Sequence, residues 1–136
     1  MSASNKKTTD EARIRELIEA WAEAVRAKDI DGIMAHHAPD IVFFDVPLPI
    51  QFRGVDEYKK SWDRFFAWFG DSGVFEISEL SIAAGDDAAF CYGLIRCGGT
   101  ETSGDKVELV VRLTVCYRKI YGQWTVMHEH HSEPST

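Results

Sequence analysis

Apolar residues recur at helical spacing near the start of the chain. Ile14, Leu17, Ile18, Trp21 and Val25 fall three or four apart and share one face. The spacing predicts a helix running to about Lys28. Thr8-Thr9-Asp10-Glu11 reads as its capping box, with Thr8 as N-cap and Glu11 reaching back. Residues 1–8 are expected to be a disordered lead. A second, short helix is predicted over 30–37, closed by Pro39, with His36 and His37 as its C-terminal caps. Residues 41–46 form a β-rich run cut by Pro47 and Pro49, and 51–53 a brief hairpin partner. Tyr58, Trp62, Phe65, Phe66 and Phe69 then make an aromatic stripe on a third helix over 55–69, ended by Gly70.

After Gly70 the period changes from about 3.6 to 2. Strands are predicted over 74–83, 88–97, 107–118 and 124–132. Gly85-Asp86-Asp87, Gly98-Gly99 and Tyr121-Gly122 mark the turns. Helices first and strands last define an α+β domain. Ala89, Cys91, Gly93 and Ile95 alternate with Ala88, Phe90, Tyr92 and Leu94, so that strand is apolar on both faces. Helices can cover one face only. A second copy of the chain is the simplest cover for the other, so a homodimer through the sheet face is expected.

With 136 residues, 45% of them hydrophobic, the chain can build one domain with a proper core. No apolar run approaches membrane-spanning length, and the N-terminus lacks the apolar stretch of a signal peptide. The formal charge of −7 and the absence of a basic run argue against nucleic acid. Cys91, Cys97 and Cys116 form no CxxC pair and read as small reduced core residues of a cytoplasmic protein.

The candidate chemistry concentrates in the last strand, Trp124-Thr125-Val126-Met127-His128-Glu129-His130-His131-Ser132. By alternation His128, His130 and Ser132 share the face of Trp124 and Val126. If Tyr121-Gly122 is a two-residue turn, Ile120 faces Gln123, Val115 faces His128 and Leu113 faces His130. Both histidines then lie inside, and Arg112 pairs with Glu129 on the opposite face. A one-residue slip would reverse every one of these assignments and put Arg112 on the histidine face. Asp45 ends an apolar run before a proline-rich bend. It either faces a dry cavity, where its pKa would rise and it could abstract a proton, or caps the turn. Tyr58 and Trp62 share a helix face and, with Trp21, Phe43 and Tyr92, could wall a pocket for an apolar small molecule. Arg96 ends an apolar strand: buried, it would want an anionic ligand group or an acidic partner, and the alternative is a surface role at the strand end. Metal binding by the HxH pair with Asp45 lacks a further ligand, and no cofactor is expected.

The element order resembles the nuclear transport factor 2-like superfamily, which includes ketosteroid isomerase, SnoaL-type cyclases and the association domain of calcium/calmodulin-dependent protein kinase II. Three stretches carry the resemblance: Ala27-Lys28-Asp29-Ile30-Asp31-Gly32-Ile33, Ile41-Val42-Phe43-Phe44-Asp45, and Gly122-Gln123-Trp124 with the HxHxS ending His128 to Ser132. It implies one SnoaL-like domain over 1–136, a cone-shaped roll of three N-terminal helices on a curved antiparallel sheet of strands of mixed length. It places Asp45 where the isomerases carry their catalytic aspartate, and Arg96 near an arginine that faces the pocket in the association domain. The isomerases hold the enolate oxygen with a tyrosine and a protonated aspartate. Here those positions fall at Trp21 and at Thr114 or Val115, so steroid isomerisation by that route is not expected. Two functions follow, with a partner-binding hub that works through the dimer surface as a third. One is a cofactor-free isomerase, cyclase or hydrolase with Asp45 as base and His128, His130 or Trp21 as donors. The other is a ligand-binding or assembly domain of the same fold.

Overall fold

A computed structural model describes residues 3–69, 73–100 and 103–135. The elements are α1 (Ala3–Arg26), α2 (Ile30–Met34), β1 (His37–Phe44), β2 (Phe52–Arg53), α3 (Val55–Phe69), β3 (Val74–Ala84), β4 (Ala88–Thr100), β5 (Lys106–Ile120) and β6 (Gln123–Ser132). The three helices precede the long strands, as the change of period predicts. Gly70 and the side chain of Phe69 lie outside the described residues.

The strands form one six-stranded sheet in the order β2-β1-β6-β5-β4-β3. Neighbours are antiparallel except β1 and β6, which run parallel. The sheet is therefore mixed, a correction to the wholly antiparallel expectation. The α3 segment carries the chain across between β1–β2 and the meander β3 to β6, which frees β1 to pair with β6 in parallel.

Two irregularities curve the sheet. In β3 the register with β4 shifts between Ser78 and Ser81, and Glu79 takes a left-handed φ of 53°. Gly93 faces this bulge. A Cβ there would stand 2.9 Å from the Ser78 carbonyl oxygen, so only glycine fits without a shift. In β6 the register with β5 shifts between Cys116 and Tyr117, which leaves Met127 as an extra residue.

Three local expectations change. α1 begins at Ala3, so Thr8 lies within the helix rather than capping it, and residues 3–8 are helical rather than a disordered lead. α2 ends at Met34, after an N-cap in which Asp29 accepts from the Gly32 N–H at 3.2 Å. His37 therefore opens β1, and Pro39 sits inside the strand. The β1–β6 pairing is interrupted between His37 and Val42, so no ladder bond needs the missing proline N–H.

The core lies between the helices and one sheet face. Ile14, Ile18, Trp21 and Val25 of α1 pack with Tyr58 and Trp62 of α3 and with Phe75, Cys91, Ile95, Leu113, Val115 and Trp124 of the sheet. Asp10 accepts from Lys119 Nζ and Trp124 Nε1, both at 3.2 Å, which ties α1 to the β5–β6 hairpin. The other sheet face is open in the single chain: Phe90 is 47% and Tyr92 52% exposed, with their rings stacked. Cys91, Cys97 and Cys116 are free. Among the described residues, no helix is long and apolar enough to cross a membrane.

Candidate active site

The β6 bulge decides which residues face the interior. The Tyr121-Gly122 turn does pair Ile120 with Gln123, and the alternation holds as far as Val126 opposite Tyr117. The extra residue at Met127 then reverses it. Glu129 falls opposite Val115 and His131 opposite Leu113, both on the helix-covered face. The slip occurs inside the strand, not in the turn.

His128 and His130 therefore lie on the outer face, a correction to their expected place inside. His128 Nδ1 lies 2.6 Å from the Val42 carbonyl oxygen, with its ring edge-on to Phe44. His130 is exposed, and its pKa is lowered by desolvation and by the nearby charges of His128, His131 and Arg112. Arg112 shares that face. Its Nε donates to Ser132 Oγ at 3.1 Å rather than pairing with Glu129. Tyr92 is exposed on the same side. Arg96 is not buried; it bridges Glu76 at 2.7 Å and Glu108 at 3.3 Å. None of these five residues reaches the interior. The outward HxH pair also leaves Asp45 on the other side of the sheet. Among the described residues no cluster of three His, Cys, Asp or Glu is arranged to hold a metal.

A cavity of about 400 Å³ lies between α3, the bend after β1 and the inner sheet face. Phe43, Trp62, Phe65, Trp68, Phe75, Ile95, Leu109 and Val111 make it apolar, and Asp45, His131, Ser61 and Arg64 are its polar members. Of the aromatic residues named from the sequence, Phe43 and Trp62 line it. Trp21 and Tyr58 do not; they stand behind the wall as supports.

Asp45 accepts from the Val46 N–H at 2.8 Å and is 19% exposed. Burial raises its pKa. The charge of His131, the Val46 N–H and Arg64 pull the other way, and the charge of Glu129 adds to the rise. Both readings of Asp45 hold together: it touches the turn and faces the cavity. His131 Nδ1 stands 3.9 Å from Asp45 Oδ1.

Behind His131 sits a buried polar chain. Glu129, 2% exposed, accepts from Tyr58 Oη at 2.8 Å and meets His37 Nε2 at 2.5 Å. Trp21 Nε1 donates to the Tyr58 oxygen at 3.1 Å. The His37 ring stacks on Tyr58, and its Nδ1 lies 2.8 Å from the Ala35 carbonyl oxygen. Burial alone would raise the Glu129 pKa. His37 and His131 outweigh it and hold the carboxyl at about 2. His37 is raised in turn, because Glu129 and the Ala35 carbonyl overcome its desolvation. Burial and the Glu129 charge push Tyr58 well above its ordinary value, which keeps its hydroxyl a donor.

Sequence reasoning singled out neither Glu129 nor His131, and took His37 for a helix cap. The available signal was pairwise: a glutamate flanked by histidines in one strand has the partners that a buried carboxylate requires.

The fold and the cavity define an α+β roll with an apolar pocket and a carboxylate–imidazole pair on its wall. The chain belongs to the SnoaL-like domain family, whose family model matches residues 14–136. A nuclear transport factor 2-like protein of unknown function from Pseudomonas putida KT2440 is 41% identical, with a TM-score of 0.86 over 95% of this chain and 89% of that one. A ketosteroid isomerase-like protein from Erwinia carotovora atroseptica shares the fold at 22% identity and TM-score 0.79, over 93% and 98%. The association domain of C. elegans CaMKII does so at 14% identity and TM-score 0.75, over 95% and 99%. No curated protein matches the chain.

Proposed function

We propose that the protein is a cofactor-free acid–base enzyme of the isomerase, cyclase or hydrolase kind, acting on an apolar carbonyl compound with Asp45 as base. The observation that carries this reading is the carboxylate of Asp45 beside His131 in a cavity whose other lining, apart from Ser61 and Arg64, is mostly apolar. A carboxylate with a raised pKa is a stronger base than one in water, and the apolar wall favours a ligand whose body is apolar. Asp45 takes the proton next to the ligand carbonyl. The electron pair moves onto the carbonyl oxygen, and the positive charge of Arg64 on the cavity lining offsets it. The Asp45 carboxylic acid then returns the proton; His131 Nδ1, 3.9 Å away, is placed to share it once ligand binding draws the two side chains together. The likeness to a ketosteroid isomerase-like protein supports the reaction class.

The working unit is a homodimer in the cytoplasm. The open outer face, with Phe90, Tyr92 and Val110 about half exposed, is the surface a second copy would cover, and the free cysteines suit a reducing compartment.

Deuterium exchange next to the carbonyl of a cyclic enone, followed by NMR, tests the chemistry. Asp45→Asn should keep probe binding and lose ~10²–10⁴ of the exchange rate. Exchange at the wild-type rate in that variant would remove Asp45 as the base. Binding without exchange in the wild type would favour a ligand-binding or assembly domain.

A further inference from the structure

His37 is held between a carbonyl oxygen and a carboxyl group that, ionised, only accepts hydrogen bonds. Its Nδ1 faces the Ala35 carbonyl oxygen at 2.8 Å and its Nε2 the Glu129 carboxylate at 2.5 Å. A neutral imidazole has one N–H and would set a lone pair against one of these oxygens. The contacts are both satisfied when the ring carries two protons and Glu129 carries none. Tyr58 Oη, donating to the same carboxylate, completes its shell from α3.

The remaining side of that carboxylate points at the cavity. His131 Nε2 is buried, lies 3.3 Å from Glu129 Oε1 and has no well-formed hydrogen bond of its own. An ionised oxygen at that distance favours a proton on Nε2 over a lone pair there.

We infer that Glu129 is a positioning residue: held ionised by a doubly protonated His37 and by Tyr58, it directs the one proton of the uncharged form of His131 to Nε2 and leaves Nδ1 of that form as an acceptor facing Asp45 and the cavity. This rests on the acid–base reading, because it supplies the acceptor for the proton that Asp45 takes from a ligand. When His131 accepts that proton, it becomes an imidazolium beside an ionised Glu129, which stabilises it. The titratable groups around Glu129 are His37 from β1, Tyr58 from α3 and His131 from its own strand. Asp45, after β1, Cys91 of β4 and Tyr117 of β5 lie near enough to feel its charge, and α1 brings the neutral Trp21.

Long-range ¹H–¹⁵N NMR of the ¹⁵N-histidine-labelled protein reads this directly. Neutral His131 should show the Nε2–H tautomer, and His37 should keep both ring protons above the ordinary imidazole value of 6.5. Glu129→Gln should lower the His37 midpoint and remove the Nε2–H preference of His131, while Asp45→Asn should leave the His37 midpoint unchanged. An Nδ1–H tautomer at His131, or a His37 that titrates at or below its ordinary value, would overturn the inference. The wild-type spectra decide the matter even if Glu129→Gln does not fold. A protein that shows these resonances yet exchanges no carbonyl compound would refute the acid–base reading and support the positioning role.

Discussion

Glu129→Gln is the perturbation with the largest consequence for stability. The substitution keeps the volume and removes the charge. Gln can still accept from Tyr58 Oη, but the contact with His37 at 2.5 Å loses its counter-ion, and both side chains are 3% exposed or less. One hydrogen bond to a charged group contributes ~1.5–3 kcal/mol, and leaving one member of a buried pair without the other costs ~3–5 kcal/mol. Against a typical domain stability of about 5–15 kcal/mol, this is a large part of the margin. The cost should depend on pH in a defined way. The His37 pKa is raised, so its contribution is complete below 6.5 and fades as pH rises through the folded value. The Glu129 pKa is lowered from 4.5 to about 2, so its contribution is complete above 4.5 and fades as pH falls toward 2. The difference between wild type and variant is therefore greatest between 4.5 and 6.5. Urea unfolding at fixed protein concentration, followed by tryptophan fluorescence, measures it. A loss of ~3–5 kcal/mol inside that window, shrinking on the alkaline side, is the expected result. A loss below ~1 kcal/mol, or one equal across the range, would refute the buried ion pair.

Two further outcomes test the frame around the site. Gly98→Ala would set a Cβ 2.3 Å from the Val107 carbonyl oxygen and 2.9 Å from Glu108 Cα, both backbone of the paired strand, so the melting temperature should fall by several degrees. An unchanged melting temperature would mean that β4 and β5 do not pair there as described. Phe90→Asp with Tyr92→Asp should leave the single-chain fold intact and convert a homodimer to a monomer in light scattering at micromolar concentration. A dimer that persists in this variant, or a wild type that is already monomeric, would exclude the outer sheet face as the interface.

The legible and illegible parts of the sequence divide along physical lines. The stripe from Ile14 to Val25 and the aromatic stripe from Tyr58 to Phe66 signal helices because each buries one face over several turns, and that demand leaves a period. The alternation in β4 signals a strand for the same reason. Asp45 was readable because an apolar run ends on it, and the cavity does reach it. The histidines were not readable, because alternation gives a face only while the count is unbroken. One bulged residue at Met127 carries no signature in polarity, yet it exchanges His128 and His130 for Glu129 and His131. Pairwise chemistry could have settled the choice. Facing inward, the HxH pair would leave Glu129 outside with Arg112 and bring no carboxylate to meet His37. The bulged register brings a buried acid into hydrogen bonds with one imidazole and a phenol and sets a second imidazole 3.3 Å from it. His37 escaped for a related reason: beside Pro39 it reads as the end of a helix, and the irregular β1–β6 pairing that tolerates the proline is visible only once β6 lies alongside. A buried charge is stable only with its partners. In this fold those partners come from β1, α3 and β6, so no local window of sequence contains the site.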